Sequence, residues 1–170
     1  PSLGYVALWL ALCLAFFQLL ISIKKNRSIS YNFYKIAVNG LRFPAHFFFF
    51  VNVMLYRIDF NVLNVFQNSH ETKPLLYKLT AVWGNHEGSM LLWILVLTIF
   101  NYFIFKFWNK KNSELILKTL ETQSFISIGF LLFTIFTSNP FERIIPKQLD
   151  GLGFNPILQD PALAIHPPLL

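Results

Sequence analysis

Trp83-Gly84-Asn85-His86-Glu87-Gly88-Ser89-Met90-Leu91-Leu92-Trp93, continued by a mainly apolar run to Phe107, is the stretch whose reading decides the fold. The run from Gly88 to Phe107 is long enough, at about 1.5 Å per residue, to cross a hydrocarbon core of roughly 30 Å. A histidine, a carboxylate and two indoles crowd its first turns. Titratable groups beside hydrocarbon are costly, so they point to a purpose there. Asn85 or His86 can cap a helix starting at this point, and Glu87 complements its positive amino end. Neighbouring helical side chains diverge by about 100°, so His86 and Glu87 are expected to make separate contacts rather than to share one ligand. The HEG triplet lacks the second histidine of HExxH zinc sites, which argues against a metalloprotease.

Outward from this run, other apolar blocks alternate with polar loops. The first covers about Leu3 to Ile23 and is followed by Lys24, Lys25 and Arg27; it is too long for a signal-peptide core, so a retained span is expected. A second covers about Ile36 to Tyr56, interrupted by Arg42, Pro44 and His46; Arg42 can snorkel to the headgroups and His46 is expected to pack between helices. A fourth, from about Thr122 to Thr137, is shorter and meets Ser138-Asn139-Pro140, where proline stops a helix. The pattern predicts an all-α membrane protein with four transmembrane helices in residues 1–138 and an apolar loop, 139–170, that folds back onto the membrane or a partner.

Composition agrees. Hydrophobic residues make up 55% and charged residues 13%, against about 25% charged in soluble domains, and the mean hydropathy is +0.51. The net charge of +6 would suggest nucleic acid for a soluble chain, but the cations sit in loops and no basic stripe with stacking aromatics exists, so no nucleic-acid partner is expected. Lys24, Lys25, Arg27 and Lys35, with Lys106, Lys110, Lys111 and Lys118, outnumber Arg57, Lys73, Lys78, Arg143 and Lys147. By the positive-inside rule the first set faces cytoplasm or matrix, which puts both chain ends, His86 and His166 on the periplasmic or intermembrane-space side. Cys13, the single cysteine, excludes an internal disulfide and a CxxC pair and reads as a small buried apolar residue. Arg57 and His70 read as isolated loop residues. Abundant Phe, Lys, Asn and Ile are the residues of AT-rich codons and suggest an organellar gene.

A second knot closes the sequence: Asn155-Pro156-Ile157-Leu158-Gln159-Asp160-Pro161-Ala162-Leu163-Ala164-Ile165-His166-Pro167-Pro168-Leu169-Leu170. Pro161, Pro167 and Pro168 restrict the backbone around His166, and a neutral imidazole held this way suits haem iron. Taken alone, His166 reads first as a histidine packed in an interfacial loop, and as a haem ligand second. Gln159 and Asp160 could orient the ring or cap the loop backbone.

Together the two knots resemble the CcmF family of membrane haem lyases, with its WGxHEGSxLLW and LQDPxLxxHPPLL segments, and the likeness continues through Gly129-Phe130-Leu131-Leu132-Phe133 and Thr137-Ser138-Asn139-Pro140-Phe141. The resemblance implies covalent attachment of haem to apocytochrome c, with His166 as one of two outer axial ligands; on the reading of the residues themselves, Asp160, Gln159, Pro167 and Pro168 are its expected structural support. It marks Trp83, Gly84, His86, Glu87, Gly88 and Trp93 without giving them a role. The family's tryptophan-rich segment, its second outer histidine and its intramembrane haem-binding histidine pair all lie beyond the HPPLL motif. The chain is therefore expected to act with polypeptides carrying those parts, a haem-delivery protein, apocytochrome c and the bilayer, and not to be active alone. The membrane expected is the mitochondrial inner membrane, or alternatively the bacterial plasma membrane. A non-catalytic structural subunit that binds no haem is the competing reading.

Overall fold

The computed structural model describes residues 1–23, 35–36, 38–40, 45–47, 49–50, 52–53, 59–107, 113–146, 148–153 and 160–162. Five helices are delimited: α1 (Ser2–Ile23), α2 (Leu63–Asn68), α3 (Leu75–Ala81), α4 (His86–Lys106) and α5 (Ser113–Phe136). The described residues contain no strand beyond one isolated antiparallel bridge between Val62 and Arg143. Three helices, α1, α4 and Glu114–Phe136 of α5, are long and apolar enough to cross a membrane. Large apolar side chains cover their outward faces, among them Leu3, Leu10 and Leu20 on α1, Phe100 and Phe103 on α4, and Phe125 and Phe136 on α5. Helices apolar on every side belong in lipid, where each backbone polar group is satisfied within its own helix. The chain is an all-α membrane protein.

Of the second apolar run, 36–56, the residues described within 35–53 are helical, and the others lie outside the described residues. The fourth run begins earlier than its hydropathy suggests: α5 starts at Ser113, not near Thr122. Its polar first turns stay helical because Lys118 Nζ reaches Glu121 Oε2 at 2.7 Å, while the Thr119 and Thr122 hydroxyls donate to the carbonyls of Leu115 and Lys118. Such pairs one turn apart support a helix in water. Lys118, read as a loop cation, thus sits on a helix.

Small residues decide the packing. The buried face of α1 is Gly4, Ala7, Leu8, Ala11, Leu12, Ala15 and Gln18; that of α5 holds Leu120, Ser124, Ser127, Ile128, Leu131, Thr134 and Ile135. Small side chains at this spacing let two helices approach closely without a hydrophobic driving force, which lipid does not supply. Trp9 meets Phe136 edge-on, with centroids 5.9 Å apart. A Cβ on Gly4 would lie 2.4 Å from the Phe141 ring, so a larger residue there would have to displace that ring. Cys13 is exposed, on the outward face of α1, contrary to its reading as a buried residue. The antiparallel α4 lies against α5 through the stack of Trp93 on Phe130, at 6.3 Å and 12°.

At the end of the bundle where α1 and α4 begin, residues 59–82 and 139–153 fold together. Leu63 N donates to Glu142 O and Ile144 N to Asn61 O, flanking the Val62 bridge; Leu152 N and Gly153 N donate to Phe66 O and Ser69 O. Gly151 lies with its ideal Cβ position 2.0 Å from Ser69 O, a contact only glycine permits. Residues 139–146 and 148–153 are therefore docked on the preceding loop.

Candidate functional site at the start of α4

Asn85 is the N-cap of α4: its side chain accepts from Gly88 N at 2.8 Å, and its amide donates back to Ala81 O. This closes the turn between α3 and α4. Gly88 has no freedom to be anything else, since a Cβ there would stand 1.5 Å from Val82 O. Glu87 and His86 diverge, as helical geometry requires. Asn64 of α2 donates to Asn85 Oδ1 at 2.8 Å and to Glu87 Oε2 at 3.2 Å. His86 instead turns to α5: its Nδ1 is 3.0 Å from the Ser138 hydroxyl, and its ring meets Phe133 edge-on at 5.8 Å. Trp83 packs against the main apolar core. Thus the crowded segment ties α2, α3, α4 and the end of α5 into one unit, with Asn64 shared by Asn85 and Glu87 and Ser138 facing His86.

His86 also stands, exposed, at the lip of an open apolar groove of about 450 Å³ between α4 and α5, floored by Met90, Ile126, Gly129, Phe130 and Phe133. His46 lines a second recess, of about 400 Å³, with Phe47, Phe49, Phe50 and Leu95. His46 is itself exposed rather than buried between helices.

His70 is not isolated. Its Nε2 lies 3.1 Å from Asp150 Oδ2, and its Nδ1 is 3.3 Å from Thr72 N. Desolvation pushes the Asp150 pKa upward, but the backbone donors of Gly151 and Glu71 and the His70 ring outweigh it, so the carboxyl sits below the ordinary range. The two residues are eighty positions apart, and no local pattern in the sequence links them.

Lys73 is buried in the same loop region, donating to Asn68 O at 2.9 Å. Burial and then the nearby Lys78 lower its pKa from 10.5 to about 8. Between these values the unfolded chain binds more protons than the folded one, so stability rises with pH from about 8 towards 10.5. Lys73→Met should be more stable than the parent at pH 7, with the difference shrinking by pH 10; melting curves in detergent across that range check this.

His166, Gln159, Pro167 and Pro168 lie outside the described residues. Asp160 is exposed, and its Oδ1 accepts from Ala162 N at 2.7 Å. That is the backbone-capping role. Among the described residues no group of three or more His, Cys, Asp or Glu could hold a metal ion.

An integral membrane protein with its loops at one end knitted around the start of one span is the class this geometry defines. The chain belongs to the cytochrome C assembly protein family, whose family model matches residues 83–170 and so takes in both sequence knots. It is 41% identical over 173 residues to the cytochrome c-type biogenesis protein CycK of Rhizobium meliloti, covering 99% of this chain and 26% of that protein. The cytochrome c-type biogenesis protein CcmF of Pseudomonas aeruginosa is 39% identical over 175 residues, covering 100% and 27%. CcmF of Escherichia coli is 42% identical over 113 residues, covering 66% and 18%. The chain spans about a quarter of the length of the first two relatives. No solved structure matches it.

Proposed function

We propose that this chain forms the amino-terminal part of a haem lyase, crossing the membrane four times in residues 1–138 and presenting residues 139–170 on the outer face. The observation that carries the reading is the family match through 83–170, which includes the LQDPALAIHPPLL segment. The helical residues within 35–53 support the second of these crossings. The basic loops face cytoplasm or matrix, so the knitted loops and His166 lie where cytochromes c mature. The Phe, Lys, Asn and Ile usage favours the mitochondrial inner membrane; the relatives named above are bacterial, which supports the plasma membrane as the alternative.

His166 ligates the iron of the incoming haem from one side. Proline on either side in the sequence restricts the backbone states open to it, which limits the entropy lost on ligation. Companion polypeptides supply the second ligand, the tryptophan-rich docking surface, haem delivery and the apocytochrome. The reaction adds each cysteine thiol across a haem vinyl group: a carbon–sulfur bond forms, the thiol proton ends on carbon, and no net electrons are exchanged. The contribution of this chain is proximity and orientation.

Haem-stained c-type cytochromes in cells carrying His166→Ala should fall by tenfold or more, on the order of the loss expected when a positioning contact is removed. Asp160→Asn should retain most of the product, because an amide oxygen still accepts from Ala162. Undiminished cytochromes in the His166 variant would favour the structural subunit instead.

A further inference from the structure

Within the apolar bundle, several polar side chains are buried with no hydrogen-bond partner: both amide atoms of Gln18 and of Asn101, Gln123 Oε1 and the Ser127 hydroxyl. Gln18, Asn101 and Ser127 are each fully inaccessible. Other hydroxyls on α5 behave differently, since Ser124 and Thr134 donate to the carbonyls of Leu120 and Phe130 one turn back.

Helix register sets these groups within about two turns of one another along the bundle axis. From the Trp9–Phe136 contact, equal steps along the antiparallel α1 and α5 reach Gln18 and Ser127. From the Trp93–Phe130 stack, equal steps along α4 and α5 bring Asn101 level with Thr122, beside Gln123. Gln123 and Ser127 lie one turn apart on one face of α5. Just beyond, towards the basic end, Ile21, Tyr102, Phe105 and Leu120 close the bundle as a separate apolar cluster. Neighbours on the same stripes, Ala15 and Ser124, are small. The seam carries donors and acceptors but no charge, so it suits a small neutral molecule able to do both.

We propose that Gln18, Asn101, Gln123 and Ser127 form an internal water site in the half of the bundle nearest the basic loops, bridging α1, α4 and α5. An unsatisfied buried amide costs more than immobilising a bridging water, which finds two to four polar partners here. The waters then set the spacing of the three helices at that level, where small side chains leave the amides apart. This rests on packing alone and is independent of the haem reading.

Water-edited solid-state NMR on the isotope-labelled protein in lipid bilayers tests it. Magnetisation from water should reach the side-chain amides of Gln18 and Asn101 severalfold faster than it reaches the backbone of Leu8 and Ala11 in the dry stretch. Equally slow transfer to both sets would overturn the proposal, as would direct amide-to-amide coupling between Gln18 and Asn101. Gln18→Leu with Asn101→Leu should dry the Gln123 side chain; a folded double variant in which it stays as wet also overturns it. Should that variant not fold, the wild-type comparison still decides.

Discussion

Gly88→Ala should cost about 3 kcal/mol or more and lower the melting temperature of the detergent-solubilised protein accordingly. A methyl group at this position would occupy space 1.5 Å from Val82 O and 3.2 Å from Asn85 Oδ1. No rotamer relieves a clash between Cβ and a backbone carbonyl, so the turn between α3 and α4 has to open. Opening it breaks the Asn85 cap on α4 and with it the register of Glu87 against Asn64. The loss therefore spreads from one glycine to the whole junction. Gly129→Ala is the internal control: nothing lies within 4 Å of its Cβ position, and alanine in a helix interior is favoured by roughly 0.5–1 kcal/mol. Equal melting of the two variants would contradict the junction as described.

Much of this arrangement was legible before any coordinates. The runs that became α1 and α4 are continuous and bounded, one by a lysine cluster and the other by an asparagine cap that the structure places at Asn85. The divergence of His86 and Glu87 followed from helical geometry. The start of α5 was not legible, because its first turns are polar and hydropathy stops where helix need not. Nor were the long-range partners: Asn64 for Glu87, Ser138 for His86 and Asp150 for His70 are chosen by how the loops dock. Gly88 looked like a motif residue, and its reason appeared only with the Val82 carbonyl beside it. The exposure of Cys13 depended on which stripe of α1 meets α5, and an almost uniformly apolar helix does not announce that.

The second large effect falls on haem. If His166 ligates haem as proposed, His166→Ala should strip haem from the purified complex that contains this chain, because no other histidine lies nearby in sequence to replace it. Free imidazole added to that variant should restore part of the spectrum, since it replaces the missing ligand without repairing the loop. Loss with imidazole rescue separates ligation from collapse of the junction, which imidazole cannot mend.

The most direct measurement is the visible absorbance of that complex in the wild-type and His166→Ala forms, normalised to polypeptide. The account predicts a haem band that is largely absent in the variant and returns with imidazole. A band of equal intensity in both, or no haem in the wild-type complex, would contradict it and leave the chain a membrane scaffold.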